Sequence, residues 1–135
     1  MTPEQLKTTN CETLLDILDW RAAATPDRAA YIYLDAKGEE AERLTYRELA
    51  SRARSFARSL YATTPARPGD RILLVMSPGL GFLIAYFGCQ YARLIPVACP
   101  TPRKDGRLTK LLSIAASAQP TVLVTDDALE LQLRE

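Results

Sequence analysis

Residues 77–102 read SPGLGFLIAYFGCQYARLIPVACPTP and decide the fold class of this chain. Residues 79–91 are apolar on every side of the helical pattern, which predicts a buried helix. Residues 94–99 predict a buried strand, and Pro100 and Pro102 mark the loop that follows it. A buried helix that runs directly into a buried strand is typical of an α/β sheet, in which ligands approach the carboxyl ends of the strands.

The sequence on both sides of this stretch continues the alternation of strands and helices. RILLVM at residues 71–76 is too apolar to have one face in water, which predicts a central parallel strand. Residues 106–118 predict a helix, and residues 121–125 predict another buried strand. With right-handed crossovers, this order predicts an α/β fold with an open, mostly parallel sheet and helices on both faces.

The beginning of the chain predicts a helix followed by a short N-terminal β-hairpin. Thr13 or Asn10 can cap the first helix, whose apolar residues have helical spacing. Residues 30–34 and 42–44 then predict two short antiparallel strands around a glycine turn. Thr45 and the glutamate three residues later have the spacing of a capping box, which predicts the start of a long amphipathic helix.

Composition and charge exclude several classes of partner. The chain has 135 residues, 47% of them hydrophobic, which predicts a single domain with a real core. Its 17 basic and 16 acidic side chains leave a net charge of +1, which gives no general attraction to nucleic acid or to an anionic membrane. The apolar stretch at residues 80–92 is too short for a membrane span, and the N-terminus does not resemble a signal peptide. We therefore expect a cytoplasmic protein.

The cysteines and the missing histidines limit the chemistry that this chain can perform. Cys11, Cys89 and Cys99 are odd in number and widely spaced, which predicts free thiols and neither a disulfide framework nor a zinc site. The sequence has no histidine, so it cannot form a relay of the serine-histidine-aspartate or cysteine-histidine type. Asp126 and Asp127 are interpreted as the start of a helix, with Asp126 as its N-cap, and not as a metal site.

Two loops that follow predicted strands are candidate ligand sites. Residues 77–81 follow a strand and open a helix, as in a phosphate-binding turn, but the third glycine is missing and Pro78 has no N–H to donate. Residues 103–107 read RKDGR and follow the strand at residues 94–99, at the edge where such sheets bind ligands. A solvated basic surface loop remains the alternative interpretation of this cluster.

Four stretches, taken in order, resemble the N-terminal lobe of the adenylate-forming superfamily, which includes acyl-CoA synthetases, luciferases and peptide-synthetase adenylation domains. LTYRELASRARSFARSL at residues 44–60 is similar to its first core motif, and PGDRILLVM at residues 68–76 to the strand that follows. Residues 77–102 most resemble the fatty acyl-AMP ligase branch, and residues 107–126 continue the match. Arg93 departs from the pattern, because the family commonly has glycine there.

The resemblance implies a function for a whole enzyme. Such ligases activate a fatty acid with ATP and Mg²⁺ and pass the acyl group to an acyl carrier protein. The parts that bind ATP and perform catalysis lie downstream of the motifs present, so we expect no catalytic, cofactor-binding or metal-binding residue in this chain. Residues 1–135 are therefore interpreted as an N-terminal subdomain that is inactive alone and works with the rest of its polypeptide.

The resemblance also points to candidate contacts for the acceptor. Relatives that use coenzyme A rest its nucleotide end near two loops of this lobe. Here those places carry cationic side chains that could meet the phosphate or the acidic residues of a carrier protein: Arg103, Lys104, Arg107 and Arg134. Two other functions stay open, a stand-alone degenerate lobe that acts as a binding or regulatory module, and a flavodoxin-like binding protein.

Overall fold

The computed structural model describes residues 11–102, 108–127 and 129–130. Its contacts divide the chain into two compact units, one up to Ser51 and one from Arg52. The helices and strands are, in chain order, α1 (Leu14–Ala24), β1 (Ala29–Leu34), β2 (Glu40–Thr45), α2 (Tyr46–Thr63), β3 (Arg71–Val75), α3 (Leu80–Tyr91), β4 (Ile95–Cys99), α4 (Thr109–Ala118) and β5 (Val122–Thr125).

The first unit contains α1 and the predicted β-hairpin. Thr13 caps α1, since its hydroxyl accepts a hydrogen bond from the Asp16 N–H at 3.1 Å; the other predicted cap, Asn10, lies outside the described residues. Strands β1 and β2 pair antiparallel, which confirms the hairpin. The predicted capping box is also present, since the Thr45 N–H donates to the Glu48 carboxylate at 2.9 Å and the Glu48 N–H donates to the Thr45 hydroxyl at 3.2 Å.

The second unit is built on a parallel sheet with the strand order β4-β3-β5. Strand β3 pairs in parallel with β4 on one side and with β5 on the other, so the prediction that RILLVM is central and parallel is confirmed. Every residue of β3 after Arg71 is buried, because both of its edges and both of its faces are covered.

Helices cover both faces of this sheet, as the sequence predicts. Ile72 and Leu74 point to one face, where they pack with side chains of α2 and α3. Leu73 and Val75 point to the other face and pack with Leu111 of α4 and with Leu129. Successive side chains of β3 therefore pack alternately into two separate cores, as expected for a strand between two layers of helices.

The outer strands differ from their predicted burial. Leu123 of β5 is 44% exposed and Ile95 of β4 is 49% exposed, although both segments are as apolar as a central strand. Among the described strands, β4 and β5 each have one neighbour, so one backbone edge of each is unpaired. An apolar run predicts a strand but does not show how many neighbours cover it. The predictions that residues 94–99 and 121–125 form buried strands are therefore wrong in their burial for the described part of the chain.

Helix α3 ends in a Schellman motif that places Arg93 in a left-handed conformation. The Leu94 N–H donates to the Cys89 carbonyl at 2.8 Å, and the Arg93 N–H donates to the Gln90 carbonyl at 2.9 Å. Arg93 has φ of 59°, a region where a side chain costs roughly 1–2 kcal/mol per residue. This is the physical reason for glycine at the equivalent position of the resembling family, and Arg93 is the departure noted from the sequence.

Candidate functional site

The carboxyl edge of the parallel sheet has the topology of a ligand site. The chain leaves β3 toward the face covered by α3, and it leaves β5, the strand on the other side of β3 from β4, toward the opposite face, where Leu129 packs. The loops after these neighbouring strands therefore diverge. Such a switch point between adjacent parallel strands is where open α/β sheets bind ligands.

Asp126 ties two strand ends together at this edge. One carboxylate oxygen accepts a hydrogen bond from the Ser77 N–H, beyond the end of β3, at 2.6 Å. The other oxygen accepts from the Leu129 N–H at 3.1 Å, which confirms Asp126 as a helix N-cap. The Ser77 N–H already donates to the Asp126 carboxylate, and Pro78 has no N–H to donate. The turn at residues 77–81 is therefore a structural turn, and a phosphate is disfavoured there.

The loop after β4 is described only up to Pro102. The predicted acceptor contacts Arg103, Lys104, Arg107 and Arg134 lie outside the described residues, so their role stays a prediction. On the described side of the gap, Lys110 in the first turn of α4 is a solvent-exposed cation. Burial raises the pKa of the Cys99 thiol, and the positive charge of Lys110 opposes that shift.

Two of the three cysteines, Cys89 and Cys99, are buried and structural. Cys11, Cys89 and Cys99 are all free, as predicted. Cys89 lies fully buried in the core between α3 and the sheet, and burial raises its pKa to about 12. A thiol with such a pKa is almost entirely protonated at neutral pH and does not attack a substrate. Among the described residues, no group of three histidine, cysteine or acidic side chains could hold a metal ion.

We expect a thiol titration to separate these cysteines. After denaturation without reductant, a chromogenic disulfide reagent should count three thiols; a count of one would contradict the absence of a disulfide. In the native protein the partly exposed Cys11 should react first. Cys89 should react far more slowly than in the unfolded chain, because burial raises its pKa from 9.0 to about 12, which lowers the thiolate fraction at neutral pH, and the core also shields the sulfur.

A groove of about 320 Å³ lies between α2 and the open side of β5. Polar side chains from α2 and β5 line part of it, but no charged one does; the lining residues are Phe56, Ser59, Leu60, Thr63, Thr64, Val122, Leu123, Val124 and Thr125. It lacks the titratable groups that acid-base or nucleophilic catalysis requires. The apolar sequence of residues 121–125 predicts burial and therefore gives no sign of this groove.

A comparison with known protein families identifies the family of this chain. The model of the AMP-binding enzyme family matches residues 18–135, which is most of the chain. The chain belongs to the AMP-binding enzyme family. This membership confirms the resemblance to the adenylate-forming superfamily and decides against the flavodoxin-like alternative.

Curated AMP-binding relatives include fatty-acid ligases and larger animal proteins. The chain is 35% identical over 126 residues to the medium-chain-fatty-acid–acyl-carrier-protein ligase JamA of Moorena producens (strain JHB), which covers 91% of this chain and 21% of that protein. It is 34% identical over 103 residues to Disco-interacting protein 2 of Drosophila melanogaster, covering 76% of this chain and 6% of that protein. The chain thus spans about a fifth or less of the length of these relatives.

Solved structures place the chain in the same fold. The fatty acyl-adenylate ligase of Legionella pneumophila, solved with acyl adenylate and pyrophosphate, superimposes with a TM-score of 0.85 at 30% identity, over 98% of this chain and 22% of that one. The N-terminal subdomain of Klebsiella oxytoca NpsA gives a TM-score of 0.70 at 20% identity, over 87% of this chain, which shows the shared fold alone. The predicted fold class, an N-terminal adenylate-forming α/β architecture, is confirmed.

One further expectation concerns membranes. Within residues 11–102, 108–127 and 129–130, no helix combines the length and the apolar composition that crossing a membrane requires.

Proposed function

We propose that this chain is the structural N-terminal subdomain of a fatty acyl-AMP ligase. With the remainder of such an enzyme it would convert a fatty acid and ATP into acyl-AMP and pyrophosphate, and then pass the acyl group to an acyl carrier protein. The observation that carries the proposal is the superposition of nearly the whole chain on a fatty acyl-adenylate ligase, supported by its identity to an acyl-carrier-protein ligase. The free thiols suit a reducing compartment, and we place the protein in the cytoplasm.

The contribution of this chain is to hold the carboxyl edge of the sheet rigid. Strand β3 is buried on both faces, and Asp126 joins the ends of β3 and β5. A fixed edge keeps the groups of a larger site within the small tolerances that catalysis requires. The described carboxylates do not gather into a set that fits Mg²⁺, so we assign this chain no step that uses the metal.

This proposal predicts that the chain alone forms no acyl adenylate. Adenylyl transfer needs converging cations and backbone amides around the phosphates, and we find no such set among the described residues. The measurement is pyrophosphate release with ATP, Mg²⁺ and a medium-chain or long-chain fatty acid. We expect no fatty-acid-dependent release above background; turnover of about 1 per second, usual for enzymes, would contradict the prediction.

A chimera tests the positive part of the proposal. The corresponding N-terminal region of the Legionella pneumophila fatty acyl-adenylate ligase is replaced by this chain, and acyl-AMP formation is measured. We expect the chimera to form acyl-AMP and the ligase without its N-terminal region to form none. A chimera that folds with a cooperative transition but makes no acyl-AMP would favour a stand-alone binding module instead.

The acceptor contacts are tested in the active chimera. Reversing Arg103, Lys104 and Arg107 to glutamate should slow acyl transfer to a carrier protein at low salt and leave acyl-AMP formation unchanged, because exposed charges act mainly on the encounter rate. Arg134 is reversed separately. Transfer at the same rate as before would remove these cations from the proposal, and faster transfer to free coenzyme A than to the carrier would identify a different acceptor.

A further inference from the structure

Strand β5 leaves one backbone edge of the parallel sheet open. It pairs with β3 on one side, and within the described part of the chain no strand lies on its other side. Val122–Thr125 contains no proline, so every residue keeps the N–H that an added strand needs. Leu123 is 44% exposed, although strands of parallel sheets are usually buried. The β5 edge therefore has the backbone groups and the exposed apolar side chain that suit the addition of a strand.

The other open edge of the described sheet, on β4, is less suited to strand addition. The Ile95 N–H donates to the Asp70 carbonyl at 2.8 Å, so the backbone of Ile95 faces β3. Because successive N–H groups along a strand point in opposite directions, position 96 faces the open edge. That position is Pro96, which has no N–H to donate, and proline commonly protects sheet edges in this way. Of the two edges, β5 is the unprotected one.

The groove of about 320 Å³ lies beside the β5 edge, on the face that α2 covers. Its walls combine apolar side chains such as Phe56 and Leu60 with hydroxyl groups, and its described lining contains no charged residue. Val122 and Val124 point to this same face, where they pack against the core. A strand beside β5 would place alternate side chains over the groove. The neutral lining favours apolar or hydroxyl side chains there, because a charged one would lose water without gaining a partner.

The path of the chain indicates which segment lies beside β5. From β3 to β4 the chain crosses the face that α3 covers, and from β4 to β5 it crosses the opposite face, which α4 covers. The strand order is β4-β3-β5, so these two crossovers run in opposite directions across the sheet. Since such crossovers are right-handed, a helix on the α3 face moves the chain toward the β4 edge, and a helix on the α4 face moves it toward the β5 edge.

The segment after β5 begins on the α4 face. The Glu130 N–H donates to the Asp126 carbonyl at 3.0 Å, which forms a first helical turn. Leu129 packs in the core that contains Leu73 and Leu111, on the side of the sheet that α4 covers. A right-handed crossover on this face continues in the same direction as the crossover from β4 to β5. The next strand in the chain is therefore expected beside β5 and parallel to it.

We propose that the β5 edge docks the first strand of the remainder of the enzyme, which follows the helical turn at Asp126, with one face of that strand over the groove. This inference rests on the proposed function, which assigns the chain to a longer ligase. The chain covers 22% of the solved Legionella pneumophila ligase, so most of such an enzyme lies outside it. The occupant is an extended, neutral and mainly apolar strand, held by backbone hydrogen bonds.

Peptide binding to the whole chain tests the docking without any acyl chemistry. The probe is a fluorescent peptide with the sequence of the first strand that follows the superimposed region in the Legionella pneumophila fatty acyl-adenylate ligase. Fluorescence anisotropy gives its dissociation constant. Two further versions carry N-methyl groups on alternate residues, in opposite registers. We expect one version to bind about tenfold more weakly, because its missing N–H groups face β5, and the other to bind like the unmodified peptide.

Matched substitutions on the two edges locate the bound peptide. Leu123→Asp places a charge on β5 where the added strand would cover it, and it should weaken binding about tenfold. Ile95→Asp makes the same kind of change on β4, where Ile95 is 49% exposed, and it should leave binding unchanged. Circular dichroism establishes that each variant is folded. The methylated peptides apply the test to the unchanged chain, so the result does not depend on the folding of a variant.

Several results would overturn the proposal. Absence of binding by the unmodified peptide, equal binding by the two methylated versions, or a loss of binding in Ile95→Asp but not in Leu123→Asp would each exclude strand addition at β5. Self-association of the chain that competes with the peptide and is lost in Leu123→Asp would assign the edge to a second copy.

The acyl-AMP assay on the chimera separates this inference from the proposed function. An inactive chimera together with peptide binding at the β5 edge would contradict the ligase function and not the docking of a strand. An active chimera together with no peptide binding would contradict the docking alone.

Discussion

Leu74→Asp is expected to abolish the folded state. Leu74 is 0% exposed in the central strand, between β4 and β5 and beneath α2 and α3. An aspartate there would bury a carboxylate without a partner and remove an apolar side chain from the core. The two effects together cost several kcal/mol, on the order of the 5–15 kcal/mol that stabilises a whole domain. Circular dichroism should show no cooperative thermal transition.

A second leucine on the same sheet serves as the control for this substitution. Leu123 lies in β5 and is 44% exposed. Leu123→Asp keeps the charge in contact with water, so the loss should stay below about 1 kcal/mol, as for most surface substitutions. A cooperative melt of Leu74→Asp close to that of the parent would contradict the central position of β3. Equal losses in the two variants would contradict the difference in burial between the strands.

Gly88→Ala is expected to cause the second largest loss of stability. A Cβ atom added at Gly88 would lie 2.5 Å from Cδ1 of Phe56 and 2.9 Å from the Ala53 carbonyl oxygen. Both residues belong to α2, so α2 and α3 cross here with no room for a methyl group. Because a backbone oxygen cannot move aside as a flexible side chain does, the helices must separate. Overpacking of this kind typically costs about 1–3 kcal/mol, measurable by urea denaturation.

Helix α3 contains its own control for this clash. Gly81 is in the first turn of α3, and a Cβ there would meet only the end of the Met76 side chain at 3.7 Å. Gly81→Ala should therefore be neutral or stabilise the protein by up to about 1 kcal/mol, through the higher helix propensity of alanine. Equal changes of stability in the two variants would contradict the close crossing of α2 and α3 at Gly88.

The local pattern of residues was sufficient for the elements and the fold class. Periodicity predicted every described strand. Capping residues indicated the starts of the first two helices, with Thr13 or Asn10 for the first, where the structure has Thr13, and Thr45 for the second. The apolar composition of RILLVM predicted that this segment is the central strand of the sheet, and the strand is buried there. These features depend on neighbours within about ten residues, so a single sequence carries them. The order of four sequence motifs also predicted the family, and the match to the family model confirmed that prediction.

The candidate site was predictable in its place but not in its contacts. The sequence indicated the carboxyl edge, because strand ends followed by proline-rich or acidic loops mark it. The bond between Ser77 and Asp126 joins residues 49 positions apart, and no local signal reports such a pair. The basic loop at residues 103–107 was predicted from its charge and from its place after a strand, and it lies outside the described residues.

The sequence by itself determined which segments become strands and helices, because apolar period and capping chemistry act over a few residues. Only the tertiary structure decided that β5 lies at the edge of the described sheet, that Gly88 touches α2, and that Arg93 is left-handed. Each of these depends on which distant segments become neighbours. Strand order is set by the crossovers, helix separation by the smallest residue at the contact, and the Arg93 backbone by the turn from α3 into β4.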